Sequence, residues 1–73
     1  MVSILRWLTQ EYHQGEPSEV LEFWLADQNQ ARQFVMAGHI DINYIIVRDV
    51  EFDVDPVLVD RVRIGSSVLH LKR

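Results

Sequence analysis

Hydrophobic and polar positions alternate most regularly between Ile40 and Pro56. From Ile40 to Val54 every even position is apolar except Arg48, and the odd positions are polar except Ile45 and Val47. A period of two is that of an extended strand. It puts Ile40, Ile42, Tyr44, Ile46, Val50, Phe52 and Val54 on one face, and Asp49, Glu51, Asp53 and Asp55 on the other as a row of carboxylates roughly 6 to 7 Å apart. Unbroken, the strand would reach about 50 Å, whereas a fold of this length has a radius of gyration of about 11 Å. The stretch must therefore break, and the parity failure puts the break at Arg48-Asp49. Ile40 to Val47 is then an inner strand, apolar on both faces near its end, and Asp49 to Asp55 an exposed acidic edge. Pro56 stops it, having no backbone donor.

Before this stretch the period changes. Ser3 is placed to cap a first helix with Val2 and Trp7 as a hydrophobic staple. Ile4, Trp7, Leu8 and Tyr12 form its apolar stripe, and Arg6, Gln10 and His13 face away. Gly15 and Pro17 end it. Glu19 to Gly38 reads either as one long helix or as a strand followed by a helix; Val20 to Leu25 is rich in branched and aromatic residues, which favours a strand over 19–26. Asp27-Gln28-Asn29-Gln30 matches a capping box, and Ala31, Phe34 and Val35 recur at helical spacing up to Gly38, suited to a left-handed C′ position, so a helix is predicted over 28–37. Strand, helix and strand 40–47 then make a parallel crossover unit. Asp55-Pro56 can cap one helical turn, although Val57-Leu58-Val59 reads more as strand. Two short strands follow around Gly65-Ser66-Ser67, with Val62, Ile64, Leu69 and Leu71 as their apolar face. The expected fold class is α+β: one small domain, residues 1–73, with an N-terminal helix, a strand-helix-strand unit and C-terminal strands in a mixed sheet of three to five strands.

Composition supports such a core. The chain is 48% hydrophobic and has no cysteine, which excludes disulfides and thiolate metal sites and fits a reducing compartment. Seven basic against eleven acidic residues give a net charge of −4, which disfavours general affinity for nucleic acid or anionic membrane. No apolar run is long enough to span a bilayer, so a cytoplasmic location is the expectation. The basic residues Arg61, Arg63, Lys72 and Arg73 cluster at the C-terminal end, without interleaved aromatic residues for base stacking. Pairing of these arginines with the acidic row is expected instead.

Chemistry is sparse. Oxygens on a flat strand do not converge on a cation, and His13, His39 and His70 are too scattered for a zinc site. Gly65-Ser66-Ser67 lacks the surroundings of a nucleophile elbow or phosphate loop. Hence no catalytic residue, metal ligand or cofactor is assigned. The acidic row is either a solvated face or a strip presented to a basic partner. Trp24 is either packed against Trp7 or Leu8 or exposed as an interface anchor. The candidate partner-binding residues are Asp49, Glu51, Asp53, Asp55, Trp24 and Trp7.

The order Val20 to Ala26, helix through Ala31-Arg32-Gln33-Phe34-Val35, then Ile40 to Val47, resembles the small strand-helix-strand proteins that attach to bacterial RNA polymerase, including the epsilon subunit of Gram-positive bacteria and phage-encoded transcription inhibitors. The resemblance implies a non-enzymatic regulator or inhibitor docking on a larger assembly with a basic surface, RNA polymerase first among them. Two other functions compete. In nucleic-acid mimicry, carboxylates about 7 Å apart replace phosphates. A small metal-dependent enzyme ranks last.

Overall fold

In a computed structural model, which describes residues 1–71, the Ile40–Pro56 stretch turns back on itself earlier than the parity failure suggests. β2 (Ile40–Ile42) and β3 (Ile45–Ile46) form an antiparallel hairpin closed by Asn43 and Tyr44. Both turn residues have positive φ, 53° and 70°, as a two-residue type I′ loop requires. The chain leaves strand geometry after Ile46 and returns only at β4 (Asp53–Val54). The break at Arg48-Asp49 is thus corrected to Asn43-Tyr44, and the acidic row does not lie on one strand.

β4 pairs antiparallel with β1 (Val2–Ser3) in a small ribbon, Val2 opposite Val54 and Ser3 opposite Asp53. β5 (Arg61–Ile64) and β6 (Ser67–His70) complete a four-stranded sheet of order β3-β2-β5-β6. Gly65, at φ 63°, opens their two-residue turn, the position at which a II′ hairpin needs glycine. The α+β class therefore holds, but among the described residues every ladder is antiparallel. The one parallel contact is an isolated bridge between Thr9 and Leu25, so the mixed sheet and the crossover unit are corrected.

The strand expected over 19–26 is the other half of that correction. Residues Ser18–Leu21 form a single helical turn, α2, and the amides of Phe23 and Trp24 continue with short-range bonds to Val20 and Leu21. Pro17 at its start suits a helix entry, and Glu19, Leu21 and Glu22 are good helix formers. α1 is also brief, Ile4–Trp7. It stops because the Thr9 hydroxyl and amide both bond the Arg6 carbonyl, and Gln10 and Leu25 then bond across the bridge. Gly15 does not end it, and the Ser3 side chain makes no capping bond.

α3 (Gln28–Met36) forms as its signals indicate. The Gln30 amide donates to Asp27 Oδ1 at 2.9 Å, and Gln30 Oε1 accepts from the Ala26 amide. At its other end Gly38 has φ 78°, and the amides of Gly38 and His39 bond the Val35 and Phe34 carbonyls. That is a Schellman closure. A β-carbon on Gly38 would lie 2.8 Å from Arg48 Nη1, so glycine also admits the arginine that packs over the helix end.

The core joins α1, α3 and the inner face of the sheet, with Ile4, Leu8, Val35, Ile40, Val54 and Val62 almost fully buried. Trp7 and Trp24 sit inside it, edge to face at 5.1 Å between ring centroids. His13 was expected to face away from the helix stripe but is buried. Its ring stacks on Trp24 at 3.6 Å, its Nε2 lies 2.7 Å from the Trp7 carbonyl, and its Nδ1 lies 3.0 Å from Glu16. Glu16 also accepts from the Trp24 indole.

On the outer face of the sheet, Asp41 is the organising charge. Arg61 Nη1 donates to its Oδ1 at 2.8 Å and Arg63 Nε to its Oδ2 at 2.6 Å. These arginines pair with Asp41, not with the acidic row. Lys72 and Arg73 lie outside the described residues. Removing a carboxylate that two largely covered guanidiniums share leaves both charges unpaired. Asp41→Ala is therefore expected to lower unfolding free energy by about 2 to 3 kcal/mol, measured by urea denaturation.

Candidate functional site: an apolar groove with an acidic rim

Three short pieces of chain, none with much regular structure, enclose a groove of about 580 Å³. That is within the usual range for a ligand or peptide site. Its first wall is the β2–β3 hairpin, through Ile45 and Ile46. The second is β4 with Phe52 before it and Asp55 after it, and the 3-10 turn Pro56–Leu58 closes one end. Val47, Val54 and Val59 form a buried floor. Ile45 and Leu58 are each 67% exposed, unusual for residues of this size that share a concave surface.

Asn43 fixes how these walls meet. Its side-chain amide donates to the Leu58 carbonyl at 2.9 Å, and its oxygen accepts from the amides of Asp60 and Arg61. One turn residue thus satisfies three backbone groups where the 3-10 turn enters β5. Beside it, Tyr44 is 76% exposed, in a left-handed conformation that costs a residue with a β-carbon about 1 to 2 kcal/mol. The Arg61 guanidinium lies 4.1 Å from its ring centroid, a cation–π contact worth about 0.5 to 1 kcal/mol at an exposed site.

The carboxylates sit on the rim. Asp49 accepts from the Glu51 amide and Asp55 from the Val57 amide, each shaping its turn with one oxygen. The Asp55 cap and Pro56 produce a single helical turn, so the strand favoured for Val57 to Val59 is corrected. Asp49, Asp53 and Asp55 line the groove together with Arg48 and Met1. Glu51 is exposed on the same loop. Of the six residues assigned from sequence, Asp49, Asp53 and Asp55 therefore line one groove, and Glu51 lies on the adjoining loop outside its lining. Trp7 and Trp24 are 1% and 2% exposed, so the anchor role considered for them is corrected to core packing.

Sequence reasoning missed the apolar half of this site. Ile45 and Val47 were visible as apolar residues on the polar parity, and Asn43 is a preferred first residue of an I′ turn. Together they mark a hairpin whose second strand has no covered face. Among the described residues, the groove lining holds no histidine, serine or lysine. Among the described residues, no group of three His, Asp or Glu could hold a metal ion, and no helix is long and apolar enough to cross a membrane. What the arrangement offers is apolar contact and negative charge.

No family model matches this chain, and no curated protein and no solved structure matches it either.

Turn and hook make separable contributions. Asn43→Ala removes three hydrogen bonds to backbone and should cost about 2 to 3 kcal/mol. Tyr44→Gly should leave stability unchanged or raise it slightly, because the relieved strain of about 1 to 2 kcal/mol exceeds the lost cation–π contact. Equilibrium urea unfolding of the two variants checks both.

Proposed function

We propose that this protein is a non-enzymatic binding module whose apolar groove takes a partner segment with apolar anchors flanked by lysine or arginine. The observation that carries this reading is the coincidence of exposed Ile45, Ile46 and Leu58 with three aspartates on one concave surface. Apolar burial would supply affinity, and the rim would steer a basic segment and reject an acidic one. Regulation or inhibition of a larger assembly by occupying such a segment is the function this chemistry serves.

Bacterial RNA polymerase, to which the sequence resemblance pointed, is the first assembly to test. The strand-helix-strand order behind that resemblance is replaced here by a helical turn, a helix and a hairpin, so the groove defines the partner by chemistry alone. Mimicry of nucleic acid would need the evenly spaced row of carboxylates. Two of the four instead cap turns.

The test uses capped synthetic peptides in which isoleucine alternates with threonine between terminal lysines or, as the counterpart, terminal glutamates. The lysine peptide should bind and weaken with added salt, and the glutamate peptide should not bind. Replacing Asp49, Asp53 and Asp55 together by Asn, which preserves the turn caps, should weaken binding roughly tenfold. Equal binding of both peptides, or of neither, would refute the reading.

A further inference from the structure

We infer that the partner segment binds as an extended strand between β3 and β4, joining the two sheets into one. This rests on the groove reading above and adds the backbone to it. Among the described residues β3 pairs only with β2 and β4 only with β1, so each leaves one edge unpaired there. The ladder geometry identifies which groups those edges present.

In the β2–β3 hairpin the closing pair of a two-residue loop, Ile42 with Ile45, exchanges hydrogen bonds. The Val47 amide donates to the Ile40 carbonyl at 3.0 Å. Asp41 and Ile46, paired between these positions, are then a non-hydrogen-bonded pair, and the N–H and C=O of Ile46 point away from β2. The same alternation applies in the β1–β4 ribbon. The Ile4 amide donates to the Phe52 carbonyl at 2.9 Å, and the register sets Ser3 opposite Asp53 at the next step. The N–H and C=O of Asp53 therefore point away from β1.

Ile46 and Asp53 line the same groove. Two strands thus offer outward backbone donors and acceptors to one apolar space, the condition for strand addition, in which main-chain bonds give affinity and alternate side chains give selectivity. Apolar side chains of the segment would enter the floor at Val47, Val54 and Val59, and its basic ends would meet Asp49 and Asp55. A second copy of this chain is disfavoured as occupant because it would bring two acidic rims together.

The experiment is an N-methyl scan of the lysine-flanked peptide, one amide at a time, against the whole protein by calorimetry, with amide hydrogen exchange read on the complex. In a strand held on both edges, amides of one parity face β3 and those of the other face β4, and each edge offers one outward carbonyl, at Ile46 and at Asp53, so methylation at one position of each parity should weaken binding roughly tenfold. Exchange at Ile46 and Asp53 should slow. An effect confined to alternate positions would mean that one edge alone is used and would overturn the bridging strand. Tight binding indifferent to methylation would overturn strand addition while leaving the groove as a binding site. Failure of the unmodified peptide to bind would overturn both. Sedimentation showing that the chain alone dimerises, abolished by Ile46→Lys, would assign the groove to a second copy and overturn the proposal.

Discussion

Reversing the chain at Asn43 and Tyr44 puts two consecutive residues at positive φ, and the rest of the architecture depends on that reversal being held. Asparagine tolerates such a conformation and tyrosine does not. Neighbouring structure holds both: the Asn43 side chain bonds three backbone groups of residues 58–61, and Arg61 covers the Tyr44 ring. If the chain ran straight on from Ile42, β3 would not exist and Ile45, Ile46 and Val47 would not face Phe52 and Leu58. The groove is a consequence of the turn.

The same hook ties the two halves of the molecule's stability together. β5 starts where Asn43 receives it, and β5 carries the two arginines that clamp Asp41 on β2. On the far side of the core, Trp7, His13 and Trp24 form a closed aromatic group fastened by Glu16. Packing there is dense and its polar atoms are satisfied, whereas the hairpin side leaves large apolar residues in contact with water. A small domain usually needs all the burial it can obtain. Apolar area left open on one concave face is burial that folding forgoes, and it is the area the proposed partner segment would cover.

Periodicity and capping rules recovered the parts of this fold that are governed locally. Asp27 and Gln30 at the start of α3, Gly38 at its end and the Gly65 turn each behave as their side chains dictate. Tertiary contacts overrode the rest. Residues 18–25 carry aromatic content that suits a strand, but burial of Trp24 against Trp7 and His13 is reached by a helical turn and a lone bridge at Thr9. In the Ile40–Pro56 alternation the even positions lose their apolar character only at Arg48, which points to a break there. The chain instead reverses at Asn43-Tyr44, where those positions are unbroken and a tyrosine at positive φ gives no local signal. For the site, the carboxylates were legible and their location was not. A row on one strand and a rim around a groove have the same sequence, and only the hairpin distinguishes them.

The most direct test of a groove made by this turn is an amide NMR titration of the protein with the lysine-flanked apolar peptide. The shifts are expected to concentrate at Ile45, Ile46, Val47, Phe52, Asp53 and Leu58, with α3 and the His13 group unmoved. Shifts centred on α3 or on the outer face around Asp41, with the groove residues silent, would contradict it.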